Sequence, residues 1–407
     1  LSKWDETAVT IEDGYLRIVA AATLLLSLCV LVPVVAKWVL VGRFREERIP
    51  LWSLRYFRFW AVRQLIQTCP LVLFRGQPAY NWYLRLLGAR IGPGASINTR
   101  FPPACPDLLD VGEGAVLAKD SLVQTYRAER GEIVTGRVSI GRGAYVGEGS
   151  VMDIGSSIGA AGQLAHASSL QEGQSIPDGG RAWGSPAVPT EESFAPVEAR
   201  PAAHWRPALY TVAVFAALLL VVVPLIEALF IAVYAALDAR LPDVSTMTWS
   251  EAAFVAVTSV FLVYVAGLVL GLAVVALLPR LMARLLRPDT LYPLYGVHYA
   301  VACLVSWLSN SYAYNVIFGD SSFIVHYLRL IGFDLGIVRQ TGSNFGIHQR
   351  HDIPTLCRVG SGTMVSDGLS LINFRQSSTA FVLERVAIGD GCFLGNHVIY
   401  VGGSRLA

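Results

Sequence analysis

Charged residues are scarce in this chain of 407 residues. Aspartate, glutamate, lysine and arginine make up 15% of it, whereas 54% is hydrophobic and the mean hydropathy is +0.50. About a quarter of the residues in soluble globular domains are charged, so this composition excludes an ordinary soluble protein and indicates a membrane protein. The net charge is only +2, which gives no reason to expect a polyanionic partner, and we predict no nucleic-acid binding.

Cysteine is sparse too, and no two cysteines form a CxxC pair. The six of them are Cys29, Cys69, Cys105, Cys303, Cys357 and Cys392. This scatter argues against a disulfide framework and against a zinc site, and it predicts reduced, mostly buried thiols.

Three apolar segments, at about 18–41, 208–237 and 252–278, are long enough to cross a bilayer, which needs roughly 20 such residues. Acidic residues precede the first segment, which argues against a signal peptide. Arginines follow the first and third segments and precede the second, so the positive-inside rule places both large polar segments in the cytoplasm. Aromatic residues alternate with arginine after the first segment, a composition typical of helices at the lipid headgroups.

A six-residue period dominates the first polar segment. An aliphatic residue recurs at Ile140, Val146 and Met152, and Gly or a small acid follows each one. This period predicts a parallel β-helix, in which three short strands make one coil and the aliphatic side chains point inward. The predicted inward ladder is Leu117, Val123, Ile140, Val146, Met152, Ile158 and Leu164.

The second polar segment repeats the first. Segment 83–88 matches 327–332, and three later pairs lie the same distance apart, at 248 residues: Pro106 with Pro354, Val111 with Val359, and Ile140 with Ile388. Stretches 124–137 and 373–385 break the period at the same place, which predicts a loop leaving the coil in each copy. The predicted fold class is therefore membrane α-helices plus all-β left-handed parallel β-helix domains, internally duplicated.

The duplication predicts seven domain segments. They are a terminal segment with the first transmembrane helix (1–42), interfacial helices (43–82), β-helix copy one (83–187), a linker (188–207), transmembrane helices two and three (208–278), interfacial helices (279–326) and a truncated β-helix copy two (327–407). We further expect a span to be missing before the first residue and coils to be missing after the last.

Histidine is the natural general base at neutral pH, and one cluster of histidines stands out. His348, His351 and Asp352 lie within five residues, which predicts a base and its orienting carboxylate. A solvated loop entering the coil is the alternative interpretation. A third ligand for a metal ion is missing, so we predict no metal site.

Both period-breaking stretches are polar where the coil is not, and either could line a cleft. We predict catalytic roles for Tyr126 and Glu129. The predicted substrate-binding residues are Thr125, Asp367, Ser370 and Asn373. Plain surface loops are the alternative.

Several strings carry a family resemblance. They are GSNFG at 342–346, VGSGTMVSDGLS at 359–370, FLGN at 393–396, and the segments 83–88 and 183–187. Together they resemble the C-terminal membrane region of the ε-poly-lysine synthetase family of non-ribosomal peptide synthetases, over essentially the whole chain. The resemblance implies adenylation and carrier domains upstream in the same polypeptide. It also implies six spans interleaved with three tandem hexapeptide-acyltransferase-like domains, the third of them downstream.

The resemblance implies an amide-forming acyltransferase in the bacterial plasma membrane, with cytoplasmic β-helix domains. The donor would be an aminoacyl thioester on the phosphopantetheine arm of a carrier domain, with no cofactor bound directly and coenzyme A as the alternative donor. One departure matters: the family's first domain has a His directly after Gln-Thr, where this chain has Tyr126, whose hydroxyl stays protonated at neutral pH. Two other hypotheses therefore stay open: a catalytically decayed scaffold that docks a carrier domain or partner, and an acetyl-CoA-dependent hexapeptide acyltransferase.

Overall fold

The computed structural model describes residues 2–195, 197, 199, 203, 205–238, 248–337, 340–341, 349–403 and 405–406. It divides into two compact units. One unit holds Leu1–Leu219 with Pro293–Tyr295 and Gln376–Ala380, and the other holds Leu220–Tyr292, Gly296–Arg375 and Phe381–Ala407. The division follows the predicted duplication, with one repeat forming most of each unit.

Three helical stretches are long and apolar enough to cross a membrane, at Asp13–Leu40, Arg206–Val233 and Trp249–Ala283. The first is part of α1 (Ser2–Leu40) and the third is α6 (Trp249–Ala283). The second joins α4 (Arg206–Ala217) to α5 (Val223–Asp238) through one π-helical turn. These positions match the apolar segments read from the sequence.

Shorter helices follow the first and third spans. In the first repeat they are α2 (Leu54–Thr68), a 3₁₀ turn (Pro70–Phe74) and α3 (Pro78–Leu86); in the second they are α7 (Val297–Ser309), α8 (Tyr312–Gly319) and α9 (Ile324–Ile331). Segments 83–88 and 327–332, predicted to open the β-helices, are the ends of α3 and α9. They match because each carries an arginine, Arg85 or Arg329, that donates hydrogen bonds to backbone carbonyls of the first coil.

The coils of the first repeat begin at residue 90 rather than at 83. Their strands are β2 (Arg90–Ile91), β3 (Ser96–Ile97), β4 (Leu109–Val111), β5 (Val116–Leu117), β6 (Leu122–Val123), β9 (Val138–Ile140), β10 (Tyr145–Val146), β11 (Val151–Met152), β12 (Ser157–Ile158), β13 (Gln163–Leu164), β14 (Ser169–Leu170), β15 (Ser175–Ile176), β16 (Arg181–Trp183) and β17 (Val188–Pro189). The last strand extends the β-helix two residues into the predicted linker, where it pairs antiparallel with β16.

These strands form three sheets, which are the three faces of the β-helix. Their orders are β17-β16-β13-β10-β5-β3, β14-β11-β6 and β15-β12-β9-β4-β2. All seven residues of the predicted inward ladder are at most 5% exposed. The predicted fold class, a left-handed parallel β-helix, is confirmed.

The second repeat builds the same three faces. Its coil strands are β19 (Asp334–Leu335), β20 (Gln340–Thr341), β21 (Arg350–His351), β22 (Cys357–Val359), β23 (Met364–Val365), β24 (Ser370–Ile372), β27 (Val386–Ile388), β28 (Phe393–Leu394), β29 (Ile399–Val401) and β30 (Arg405–Leu406). They assemble as β19-β22-β27-β30, β20-β23-β28 and β21-β24-β29. Strands β22, β23 and β27 lie 248 residues after β4, β5 and β9, so the offset in the sequence is also an offset in structure.

The two period-breaking stretches are β-hairpins, not irregular loops. The first pairs β7 (Tyr126–Glu129) with β8 (Glu132–Thr135), and the second contains β25 (Phe374–Gln376) and β26 (Ala380–Leu383). A short strand after each span supplies the third strand, β1 (Arg48–Pro50) in the order β1-β8-β7 and β18 (Leu291–Pro293) in the order β18-β26-β25. An isolated hairpin is marginally stable, and this distant third strand explains why the local sequence did not reveal the structure.

Candidate functional site

A buried hydrogen bond anchors each hairpin to its coil. The hydroxyl of Thr125 accepts the backbone N–H of Cys105 at 3.0 Å, and the side-chain carbonyl of Asn373 accepts that of Ile353 at 3.3 Å. Thr125 and Asn373 occupy the same position in the two repeats, 248 residues apart, and both are fully buried. We call this pair of contacts the hairpin latch; it gives both predicted substrate-binding residues a structural contact in the interior.

The second latch gathers further predicted site residues. Asp352 accepts the backbone N–H groups of Asn373 and Phe374, each at 3.0 Å. The thiol of Cys357 donates to the Asn373 side chain at 3.2 Å, and burial raises the pKa of that thiol well above its ordinary value. The carboxylate of Asp352 therefore fixes the first residues of the second hairpin by binding their backbone N–H groups in the protein interior.

His351 is next to Asp352 in the chain and is equally buried. Its ring meets Phe333 edge to face, with centroids 4.9 Å apart, and the side-chain amide of Asn310 exchanges hydrogen bonds with its backbone. His348, the other histidine of the predicted cluster, lies outside the described residues. The structure thus brings together His351, Asp352 and Asn373, but it does so beneath the surface, and their predicted roles remain predictions.

Tyr126 is a packing residue of the first hairpin. Its ring meets Phe59 of α2 with centroids 5.3 Å apart, and the guanidinium of Arg63 lies 5.3 Å from its ring centre. The matching residue of the second repeat is Phe374, which stacks on Phe381 with centroids 4.6 Å apart. An aromatic ring packs at this position of the hairpin in both repeats, and the catalytic role of Tyr126 stays a prediction.

A charged cluster occupies the surface beside the first hairpin. The guanidinium of Arg127 lies 2.6 Å from Glu172, 2.9 Å from Asp153 and 3.2 Å from Glu129. Hydrogen bonds to Glu172 and Glu129 raise the pKa of Arg127. A second cation, Arg130, lies 3.8 Å from Glu129. With three carboxylates and two guanidinium groups, this Arg127 cluster carries a formal charge of −1, and all five side chains remain partly exposed.

Glu129 was predicted from the sequence, whereas Arg127, Asp153 and Glu172 were missed. A detectable signal exists for the last two, because Asp153 directly follows β11, Glu172 comes two residues after β14, and these strands pair in parallel one coil apart. Acidic residues that follow paired strands of neighbouring coils can therefore be predicted to lie close together. Nothing local in the sequence indicates that Arg127 points toward them.

The two hairpins differ in charge. Arg375 is the counterpart of Arg127, and its guanidinium lies 2.8 Å from Glu384, which leaves a neutral pair with side chains 27% and 18% exposed. Only the first of these two arginine sites carries excess negative charge. The repeats therefore share a hairpin scaffold but present different electrostatics.

The remaining predicted residues lie on the coils. The backbone N–H of Asp367 donates to Asn396 at 3.3 Å, its carbonyl accepts from His397 at 2.7 Å, and Ser370 begins β24. His397 stands at a coil corner with φ of 52°, the conformation that Gly149 has at the matching corner. Among the described residues, no group of three or more His, Cys, Asp or Glu is placed to hold a metal ion.

His166 is the histidine of the first β-helix. Its Nδ1 accepts the backbone N–H of Glu148 at 2.9 Å. The neutral ring must therefore carry its proton on Nε2, where it is a hydrogen-bond donor and not a base.

The chain is similar to known proteins over part of its length. No protein-family model matches the chain. Among solved structures, a hexapeptide-repeat-containing acetyltransferase from Vibrio cholerae is 18% identical, covering 33% of this chain and 91% of that one, with a TM-score of 0.25. A maltose O-acetyltransferase from Clostridium difficile 630 is 16% identical, covering 37% and 94%, with a TM-score of 0.28.

The coils and the apolar helices define the class, a left-handed β-helix of the hexapeptide-repeat type joined to helices of membrane-spanning length. Within that class, the chain is 28% identical over 140 residues to a Delta-poly-L-ornithine synthetase from Acinetobacter baumannii. The match covers 34% of this chain and 10% of that protein, so it spans about a tenth of the relative's length. The resemblance to poly-amino-acid synthetases predicted from the sequence is thereby confirmed.

Proposed function

We propose that this chain is a membrane-embedded aminoacyltransferase region of a non-ribosomal peptide synthetase. The observation that carries the proposal is the exposed Arg127 cluster, held on a hairpin beside a hexapeptide-repeat coil in a chain similar to a poly-amino-acid synthetase. In this proposal the donor is an aminoacyl thioester on the phosphopantetheine arm of a carrier domain. Carrier and adenylation domains and a third β-helix domain are the proposed neighbours, and the β-helices lie on the cytoplasmic side of the bacterial plasma membrane.

The reaction forms one amide bond. The amine nitrogen of the acceptor attacks the thioester carbonyl, the carbon–nitrogen bond forms, the carbon–sulfur bond breaks, and the thiol leaves with the proton that the amine loses. An amine attacks only in its neutral form, so a base must first take a proton from the acceptor ammonium; this proton is separate from the one that leaves with the thiol. Of the predicted catalytic residues that the structure describes, Glu129 is a carboxylate at the surface and in contact with a charged cluster, which makes it our proposed base.

The charge of the cluster favours an amine substrate. Three carboxylates around Arg127 and Arg130 leave a net negative charge on this surface, and a surface of one sign attracts ligands of the other. The matched relative is named for ornithine, an amino acid with a side-chain amine. We therefore propose that acceptor amino acids with a second amine bind beside Asp153 and Glu172.

The test is product formation from an aminoacyl-loaded carrier by the reconstituted chain. Glu129→Gln keeps the shape of the side chain and removes its basicity, so we expect turnover to fall about 10²- to 10⁴-fold, the usual contribution of a general base. Glu113→Gln is the matched control, because Glu113 is an exposed acid on the same β-helix outside the cluster. Full turnover by Glu129→Gln would remove Glu129 from the mechanism.

Two further variants separate the predicted residues. Tyr126→Phe keeps the ring that packs on Phe59, so product formation should be unchanged. His351→Ala should lower the stability of the second repeat, because the ring packs on Phe333. A loss of turnover by His351→Ala with unfolding behaviour like that of the unmodified chain would instead return His351 to the catalytic set.

A non-catalytic scaffold is the second candidate function. It is favoured by the aromatic rings at both hairpin positions, Tyr126 and Phe374, and by the use of Thr125 and Asn373 as latches. A scaffold would bind the loaded carrier without consuming the thioester. A third experiment tests coenzyme A as the donor. Acetyl-coenzyme A is offered in place of the loaded carrier, and release of free thiol would show that the chain uses it.

A further inference from the structure

Helix α2 is apolar on two sides. Phe59, Val62 and Ile66 face inward and are buried in the core of the first repeat. Leu54, Phe57 and Trp60 face outward, where Phe57 is 58% exposed. The outer side of a helix on a soluble domain is normally polar, so the outward residues need an apolar neighbour.

The outward side of α2 lies close to the end of the first span. Helix α1 packs against α2, and the indole N–H of Trp38 in the last turns of α1 donates to the carbonyl of Leu86 in α3 at 2.9 Å. Leu86 and Trp82 of α3 are themselves exposed. We call the six exposed residues around this span end the interfacial collar: Trp52, Leu54, Phe57, Trp60, Trp82 and Leu86.

The second repeat has the same arrangement by itself. Arg280 in the last turn of α6 donates to the carbonyl of Arg329 in α9, and the next residue, Leu330, matches Leu86 and is also exposed. Trp307 and Phe323, on and beside the helices that follow α6, are 68% and 67% exposed. An exposed apolar surface therefore follows each of these two spans and belongs to the repeat unit.

The composition of the collar identifies its occupant. Tryptophan is enriched where a bilayer meets water, and the exposed Arg55 and Arg58 stand among the collar residues, where guanidinium groups can meet headgroup phosphates. The collar also adjoins a helix long and apolar enough to span a membrane, since Leu86 accepts the hydrogen bond of Trp38 near the end of that helix. We propose that the interfacial collar lies in the headgroup region of the bilayer, so that the first coil of the β-helix rests on the membrane and the last coil points away.

This orientation goes beyond the proposed reaction, and tryptophan fluorescence can test it. The full chain is reconstituted in phosphatidylcholine vesicles whose acyl chains carry bromine near the headgroup, which quenches indoles in the interface. Trp183 is the matched control, since it is 55% exposed but lies in β16, four strands away from β3 in the same sheet. Trp52 and Trp60 are the reporters.

The expected result is a change in the quenched fraction of the emission. W52F/W60F removes two interfacial indoles and should lower that fraction, whereas W183F removes a water-exposed indole and should raise it. An equal or higher quenched fraction in W52F/W60F than in W183F would overturn the proposal. If bromine does not quench these indoles, the water-soluble quencher acrylamide shows where the collar lies. Quenching of Trp52 and Trp60 by acrylamide would place the collar in water. Protection from both quenchers would mean that a second copy of the chain covers it.

Discussion

A buried ion pair ties the first span to the first β-helix. The ammonium of Lys37 in α1 lies 2.8 Å from one carboxylate oxygen of Asp107 and 3.0 Å from the other, and the backbone N–H of Phe44 donates to the same carboxylate at 3.0 Å. Lys37 is fully buried and the Asp107 side chain is 11% exposed. Gly88 leaves the space that the pair occupies, since a Cβ there would collide with Asp107.

Removing one partner leaves the other charge buried without compensation. Loss of one member of a buried pair costs about 3–5 kcal/mol, whereas replacing both members with apolar residues of similar volume is neutral or stabilising by about 1–4 kcal/mol. We therefore expect Lys37→Met and Asp107→Asn each to lower the free energy of unfolding by about 3 kcal/mol or more. The double variant K37M/D107N should recover most of that loss, because the asparagine carbonyl can still accept the backbone N–H of Phe44.

The assay is denaturant unfolding of the detergent-solubilised chain, followed by circular dichroism. Arg280→Met is the control, because Arg280 ends the third span in the same way but is exposed, and Thr355 stands where Asp107 would be. Its substitution should cost about 1 kcal/mol or less. Single variants within about 0.5 kcal/mol of the unmodified chain, or a double variant as unstable as the singles, would refute the argument.

Three further predictions concern the coils. Thr125→Val and Asn373→Ala remove the acceptor of the hairpin latch from a buried N–H, so each should lower the free energy of unfolding by about 1–3 kcal/mol, measured by denaturant titration; an unchanged midpoint would mean that the hairpins do not need the latch. Gly147→Ala would place a Cβ 2.5 Å from the backbone of the next coil, and failure to accumulate folded protein, seen by size-exclusion chromatography, is the expected outcome. Burial raises the pKa of the Cys105 and Cys357 thiols, so at pH 9.0, the ordinary pKa of cysteine, mass spectrometry should find both unalkylated in the folded chain and both alkylated after denaturation; alkylation of either thiol in the folded chain would contradict its burial.

Much of the architecture followed from local patterns. The six-residue period identified the inward side chains Val146, Met152 and Leu164, because each coil repeats the same three short strands and places every sixth residue inside. The duplication was equally visible, since the same offset relates the strands of both repeats. The spans were readable from composition, because a bilayer requires an uninterrupted apolar length.

The hairpins and the site were not readable in this way. The third strand of the first hairpin comes from β1, far from β8 in the chain, so no local pattern separated a hairpin from a loop. Thr125 and Arg127 are two residues apart in a polar stretch of the chain, yet Thr125 is buried in the latch while Arg127 reaches the surface.

Periodicity and composition were therefore sufficient for the coils, the spans and their repetition, because these depend on the average character of many residues. The meeting of Arg127 with Asp153 and Glu172, 26 and 45 residues further along the chain, depended on the stacking of coils and on the direction of individual side chains. Such contacts have no counterpart in local sequence. They come into being only when the coils close and the hairpin pairs with the strand that follows the span.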